Sequence, residues 1–262
     1  SSIIEEYFSN LKVKGYSGKT VDKEDAALGM LKKFLQAHGV DQVGDVTDDH
    51  LVHFQADCIF GKNKWGNNFR AETKSQYVGA VKKLFRYCLQ QGHILYNPSE
   101  ALVYPKYRKA MPKAIMTIEE VRRLLAVPDM SSALGFRDRT ILEVLYSTGI
   151  RNMELSNLLL TDIDFSKRTV QVLQGKNRVD RIVPIGRVAL EFVKEYIERV
   201  RPGIVEYSAR SDYGKFRTRN IADNGAAALF VSRFGGPLTN FGLWKILKLC
   251  AKKSGIQKTI SP

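Results

Sequence analysis

Two basic side chains in the second half of the chain stand where they could bind a phosphate. The first is Arg151, which follows Gly149, a residue that can end a helix in the left-handed conformation, and precedes a short helical pattern over 152–158. Glu154 lies three residues after Arg151, so its carboxylate can hold the guanidinium as a bidentate pair. An arginine fixed beside a helix start suits a phosphate, and a structural Arg–Glu pair at a helix corner is an equally good interpretation.

The second basic side chain, Lys176, lies in a predicted β-hairpin. Residues 169–174 and 181–185 alternate as strands do, and the polar residues 175–180 between them form a turn. An apolar helical pattern over 134–148 precedes the Arg151 corner, and a helix predicted over 188–200 and ended by Pro202 follows the hairpin. These elements must bring Arg151 and Lys176 together if the two side chains share a phosphate.

The bulk composition points to a polyanionic partner. The chain has 262 residues, of which 44% are hydrophobic and 26% charged, and its formal net charge is +14. No run of about 20 apolar residues is present, so no membrane span is expected. The three cysteines, Cys58, Cys88 and Cys250, are scattered, which indicates free thiols in a reducing cytoplasm. Of the histidines, only His50 and His53 share a helical face, and no further ligand has metal spacing; no metal or other cofactor is expected.

The first half of the chain reads as a bundle of four to five helices. Helical patterns cover 2–9, 19–38, 48–58 and 73–91, and Asn97-Pro98 begins a short turn. Two of the helix starts carry hydroxyl groups and cations, which are good phosphate anchors but are also common as solvated caps: Lys19, Thr20, Arg70, Thr73 and Lys74.

A basic linker is predicted over 104–116. It contains Pro105 and Pro112, which favour an extended chain, and Lys106, Arg108 and Lys109, which suit a path along a phosphate backbone. A charged tether that touches nothing is the alternative. The second half then begins with a capping box at Thr117, contains a polar, basic insertion over 203–225, a short strand over 229–232 and a last helix over 239–254.

The order of these pieces resembles the tyrosine recombinase (phage integrase) family, in particular its Xer-like members. The resemblance is carried by Thr-Gly-Ile-Arg-x-x-Glu-Leu over 148–155, Asp-Ile-Asp over 162–164, the Gly-Lys turn at 175–176 and Arg-x-Val-Pro over 181–184. It implies a mostly α fold with a small β-sheet (α+β). A SAM-like helical core-binding domain would cover 1–103, the linker 104–116, and an integrase-type catalytic domain 117–262.

The resemblance also implies roles for individual residues. Arg151 matches the first catalytic arginine, which binds the scissile phosphate, and Glu154 matches the acid that supports it. Lys176 matches the hairpin lysine that can protonate the leaving oxygen. Val179 stands where a second lysine is frequent, and the adjacent Arg178 can replace its phosphate contact. The reaction would break and rejoin DNA strands through a 3′-phosphotyrosyl link, without a metal.

Double-stranded DNA is the partner that the resemblance implies, with a homotetramer acting on two DNA sites. In the family, the helices that match the first half lie against the major groove. The residues expected to contact DNA are Lys19, Thr20, Arg70, Thr73, Lys74, Lys82, Lys83, Arg86, Lys106, Arg108, Lys109 and Arg178.

Several family residues are not found in this sequence. The family has a His-x-x-Arg box, a later His or Trp, and the tyrosine nucleophile; here the four histidines are His38, His50, His53 and His93, all in the first half. The box would begin directly after Pro262, so we expect the catalytic domain of this chain to be incomplete and the chain to be inactive in strand cleavage. Two alternatives stay open, a non-catalytic DNA-binding clamp protein and a type IB topoisomerase-like enzyme.

Overall fold

The structure, a computed structural model, describes residues 3–62, 66–106, 115–173, 180–210 and 227–258, apart from the side chains of residues 19, 209 and 210. The chain divides into two compact units, Ser1–Ala110 and Met111–Pro262. This division falls within the range 104–116 that the sequence assigns to a linker. Each unit has its own hydrophobic core, and the fold class is as predicted, mostly helical with one small antiparallel sheet.

The first unit is a helical bundle. Its helices are α1 (Ile3–Val13), α2 (Gly18–Ala37), α3 (Asp48–Phe54) and α4 (Ala71–Gln90). A π-helical turn, Gln55–Ile59, extends α3, and a 3₁₀ turn covers Pro98–Ala101. Side-chain caps fix the helix starts: the Ser17 hydroxyl accepts a hydrogen bond from the Thr20 N–H, and the Thr47 hydroxyl accepts one from the His50 N–H. The core is formed by apolar residues at helical spacing, among them Leu28, Leu31, Phe54, Val81 and Phe85.

The second unit surrounds a three-stranded sheet with helices. The helices are α5 (Ile118–Leu125), α6 (Ala133–Thr148), α7 (Asn152–Ser156), α8 (Arg187–Glu195), α9 (Arg201–Arg210) and α10 (Asn240–Lys253). The strands are β1 (Ile163–Asp164), β2 (Thr169–Val172) and β3 (Arg181–Pro184), antiparallel and in the order β1-β2-β3. Val172 pairs with Arg181, so β2 and β3 form the predicted hairpin.

Three predicted details of the second unit are wrong. Residues 203–210, predicted as part of a connecting insertion over 203–225, lie in helix α9. Pro202 does not end a helix, because a π-helical turn, Tyr196–Val200, leads from α8 into α9, and Pro202 is the second residue of α9. In the π turn the Arg201 N–H bonds to the Tyr196 carbonyl, five residues back, and this wider turn lets the helix continue past the proline ring. Residues 229–232 form no strand; the isolated bridges Leu159–Ala228 and Val231–Pro237 hold this segment instead.

The described residues contain neither a membrane-spanning helix nor a cluster of metal-binding side chains. None of the helices in the described part of the chain is both long enough and apolar enough to cross a membrane. Within the same residues, no three His, Cys, Asp or Glu side chains are grouped so that they could hold a metal ion. Cys58, Cys88 and Cys250 are free thiols, and Cys88 and Cys250 are buried.

Candidate active site

Arg151 lies at the corner between α6 and α7. Helix α6 ends at Gly149, whose φ of 61° is in the left-handed region, and the Gly149 N–H donates to the Leu145 carbonyl at 3.0 Å. Ile150 and Leu155 are buried on either side of the corner, and burial of these two residues anchors the turn in the core. Arg151 has an extended backbone (φ −73°, ψ 152°) and directly precedes α7. The sequence predicted this corner correctly.

Glu154 is the centre of the site, and its carboxylate is buried. Oε1 accepts hydrogen bonds from Arg151 Nη1 at 2.8 Å and from Arg181 Nη1 at 3.0 Å. Oε2 accepts from the Arg151 backbone N–H at 2.9 Å and from Arg181 Nη2 at 2.7 Å. The sequence predicted that Arg151 could pair with Glu154 in a bidentate manner. In the structure, Arg181 forms the bidentate pair, and the Arg151 guanidinium donates one hydrogen bond.

The two arginines keep Glu154 ionised. The hydrogen bonds from Arg181 and, to a smaller extent, those from Arg151 lower the pKa of Glu154 to about 2, against the effect of burial, which raises it. In return, Glu154 raises the pKa of Arg181. Two guanidinium groups and one carboxylate leave a net positive charge on this cluster. Such a cluster attracts an anion.

Exposure distinguishes the three side chains. The Glu154 side chain is 6% exposed, that of Arg181 36% and that of Arg151 58%. A guanidinium has five N–H donors. Among the residues that the structure describes, the Arg151 side chain donates to Glu154 alone, through one of them. The remaining donors of Arg151 can therefore reach a phosphate.

Neighbouring contacts fix α7 and the hairpin around this cluster. The Asn152 side-chain amide donates to the Asn240 carbonyl at 2.8 Å, which ties α7 to the start of α10. Arg181 is the first residue of β3, opposite Val172, and so belongs to the β2–β3 pair nearest the connection between the two strands. The predicted catalytic residue Lys176 and the predicted DNA contact Arg178 fall between β2 and β3 in the sequence and lie outside the described residues.

Arg181 is not among the site residues predicted from the sequence, although the sequence contains a signal for its role. Residues 181, 183 and 185 lie on one face of the strand, and Val183 and Ile185 are apolar. An arginine on an inward face needs a carboxylate partner, because burying an unpaired charge is costly. That argument would have predicted an acidic partner, but it could not have selected Glu154.

At the start of α4, the predicted DNA-contacting residues lie close together. Arg70 directly precedes the helix and is exposed, and Thr73 and Lys74 follow in its first turn. Lys74 Nζ lies 4.6 Å from the centre of the Phe60 ring. At the start of α2, the Thr20 hydroxyl lies 2.9 Å from the Ser17 hydroxyl. The side chain of Lys19 lies outside the described residues.

Two predicted DNA contacts in the second half of α4, Lys82 and Lys83, differ from those at its start because each lies beside an acidic side chain of the first unit. The Lys82 side chain is 16% exposed and lies 4.0 Å from the Glu100 carboxylate. Lys83 donates at 2.7 Å to the buried Glu24, which also accepts from the Tyr7 hydroxyl at 2.6 Å.

The remaining predicted DNA contacts lie in α4 and in the predicted linker. Arg86 and Lys106 are exposed. Arg108 and Lys109 lie outside the described residues.

Comparison with protein families and curated proteins gives matches over most of the chain. Residues 114–262 match the model of the phage integrase family. Tyrosine recombinase XerC 2 of Ralstonia nicotianae is 32% identical over 255 residues, which cover 97% of this chain and 69% of that protein. Tyrosine recombinase XerD of Staphylococcus epidermidis is 29% identical over 263 residues, with 100% of this chain and 81% of that protein covered.

Solved structures with a similar fold include two integrases. Lambda integrase (residues 75–356), solved as a dimer bound to a COC′ core site, has a TM-score of 0.65 at 17% identity, covering 99% of this chain and 80% of that one. The Tn1549 transposon integrase (residues 82–397), solved in complex with circular intermediate DNA, has a TM-score of 0.65 at 17% identity, covering 100% of this chain and 81% of that one. At 17% identity, these two comparisons show that the folds are similar and nothing more.

Proposed function

Because the chain belongs to the phage integrase family of tyrosine recombinases, we propose that it is a site-specific DNA recombinase that breaks and rejoins strands through a 3′-phosphotyrosyl intermediate. One observation carries this proposal. Arg151, at the family's first arginine position, is held by the buried Glu154 and leaves most of its donors facing solvent. This is the arrangement that binding of a scissile phosphate requires.

In the proposed reaction, a tyrosine hydroxyl loses its proton to water, its oxygen attacks the phosphorus, and the bond to the 5′ oxygen breaks. The non-bridging oxygens gain negative charge in the transition state, and Arg151 would stabilise that charge because it is positioned before the reaction begins. The leaving 5′ oxygen takes a proton, for which Lys176 is the proposed donor. Attack of a 5′ hydroxyl on the phosphotyrosyl link reverses these steps and rejoins the strand. Glu154 does not touch the phosphate; it holds Arg151.

Duplex DNA is the proposed substrate and partner. The net charge of +14 and the exposed Arg70 and Arg86 support binding to a polyanion. The two integrases described above were solved with DNA, and lambda integrase was also solved as a tetramer bound to a Holliday junction. We extend both properties to this protein as part of the proposal: it binds two duplex sites and acts as a homotetramer.

The test is formation of a covalent protein–DNA adduct that survives SDS. The protein is expressed from its whole reading frame and incubated with a plasmid library of its source genome, and DNA retained by SDS-denatured protein is sequenced. We expect retained DNA to converge on one site. Arg151→Ala is expected to abolish retention and to keep most of the free energy of duplex binding, because Arg151 is one of many cationic contacts. Retention that does not depend on Arg151 would contradict the proposal.

The 262-residue chain is compared in the same assay. We predict that it binds duplex DNA and forms no adduct, because its sequence contains no His-x-x-Arg box. An SDS-stable adduct formed by this chain would contradict this prediction.

A further inference from the structure

Glu154 is shared by two arginines in unequal ways. An ionised carboxylate offers about four acceptor positions, two on each oxygen. In this structure four donors reach them: Arg181 Nη1 and Nη2, Arg151 Nη1 and the Arg151 backbone N–H. The acceptor capacity of Glu154 is therefore filled.

This saturation determines how the Arg151 side chain is oriented. Arg151 lies three residues from Glu154, which is close enough for a bidentate pair along the helix. A bidentate pair would turn two of its nitrogens toward the buried carboxylate. Because Arg181 already occupies one position on each oxygen, the Arg151 side chain makes one bond and stays 58% exposed.

We propose that Arg181 is a positioning residue for the phosphate-binding arginine: by filling two acceptor positions of Glu154, it prevents Arg151 from pairing inward and keeps its other donors available to the phosphate. The inference rests on the proposed function of Arg151 as a phosphate ligand. It also links the hairpin to the corner, because Arg181 belongs to β3 and is 27 residues from Glu154 in sequence.

The first experiment measures duplex affinity in a double-mutant cycle. Fluorescence anisotropy with a short duplex at fixed low salt compares the chain as it stands with Arg181→Met, Arg151→Ala and the double variant. Arg187→Met serves as the matched control, because Arg187 is 80% exposed, lies in the same unit and loses the same charge. We expect Arg181→Met to weaken binding about fivefold more than the control, which is the loss of roughly one hydrogen bond of ordinary strength.

In the Arg151→Ala background, Arg181→Met should weaken binding no further than the control does. An equal loss in both backgrounds would mean that Arg181 contacts DNA directly or acts on the fold alone, and would overturn the inference. A loss no larger than that of the control in the original background would overturn it as well.

Arg181→Lys distinguishes the effect of the positive charge at position 181 from the effect of filling the acceptor positions of Glu154. Lysine keeps the positive charge but has no planar fork to fill both oxygens. We therefore expect Arg181→Lys to weaken duplex binding by about the excess that Arg181→Met shows over its control. Wild-type affinity in Arg181→Lys would show that the charge alone suffices, which contradicts the inference.

The second experiment uses no DNA, so it distinguishes failure of this inference from failure of the proposed function. NMR follows exchange of the Arg151 side-chain N–H protons with water in the free chain. In Arg181→Lys, where the fold is least perturbed, Arg151 should pair with Glu154 through two nitrogens, and exchange should slow several-fold. Unchanged or faster exchange would overturn the inference, whereas slower exchange in a chain that binds no duplex would refute only the proposed function.

Discussion

At the scale of single residues, Glu154 is the group on which the candidate site depends. Its side chain is 6% exposed, and burial by itself would favour the neutral acid. The hydrogen bonds from Arg181 and Arg151 outweigh burial and lower its pKa to about 2. A buried, ionised acid with two cationic partners is costly to remove, because its loss leaves both cations without their common partner.

We predict that Glu154→Gln destabilises the protein at neutral pH and much less in acid. The folded pKa of about 2 lies below the ordinary value of 4.5, so the stabilisation is complete above about pH 5 and is lost as the pH falls toward 2. A shift of this size corresponds to roughly 3 kcal/mol. Urea denaturation of both proteins between pH 2 and pH 7 measures the difference in unfolding free energy.

Glu191→Gln is the control for that experiment. Glu191 is 71% exposed and lies 3.7 Å from Arg187, so its loss should change the unfolding free energy little at any pH. A destabilisation by Glu154→Gln that stays constant from pH 7 to pH 2 would show that the ionisation of Glu154 is not the cause.

At the scale of elements, helix α4 presents basic residues of two kinds. Arg70, at its start, is exposed and has no ion pair among the described residues. Lys82, more than two turns further on, packs beside Tyr104 and lies close to Glu100. The sequence assigns both to DNA contact. The structure gives Lys82 a role within the first unit before any DNA is present.

We predict that Arg70→Ala and Lys82→Ala act on different properties. Loss of one phosphate contact should reduce the slope of log affinity against log salt by about 0.9, and we expect this for Arg70→Ala. Lys82→Ala should leave the slope unchanged and lower the unfolding temperature. Anisotropy titrations at four salt concentrations, with thermal unfolding of both variants, measure the two effects. A reduced slope for Lys82→Ala would place Lys82 at the DNA after all.

At the scale of the whole molecule, the chain has two units with separate cores. The first core includes Phe54, which is fully buried, and the core around the sheet includes Phe230, which is 2% exposed. Apolar burial is the main source of stability in each. Each core can therefore be weakened from within its own unit.

We predict that core truncations act within one unit. Phe54→Ala should cost about 3–5 kcal/mol, the usual range for a buried phenylalanine, and should raise hydrogen exchange in α1 to α4. Phe230→Ala should do the same in α6, α8 and α10. Native-state hydrogen exchange followed by mass spectrometry resolves the two sets of amides. Equal acceleration in both units by either variant would mean that the units unfold together.

Local features of this fold were predictable from short stretches. The Thr117 capping box is present, with the Thr117 N–H donating to the Glu120 carboxylate at 2.6 Å. Gly149 ends α6, and β2 and β3 pair as a hairpin. Each depends on residues within a few positions of one another, or on strict alternation, so neighbouring side chains suffice to specify it. The Pro202 error is also local: the rule that proline ends a helix ignores the π turn before it.

The sequence by itself determined the fold class and the place of Arg151 at a helix corner, since these follow from periodicity, caps and turns along the chain. Only the tertiary structure decided which group holds Glu154. Arg181 and Glu154 are 27 residues apart, and β-sheet packing, not sequence spacing, brings them within 2.7 Å. Tertiary packing also gave Lys82 and Lys83 acidic neighbours, because the partner of a charged side chain depends on which distant helix packs beside it.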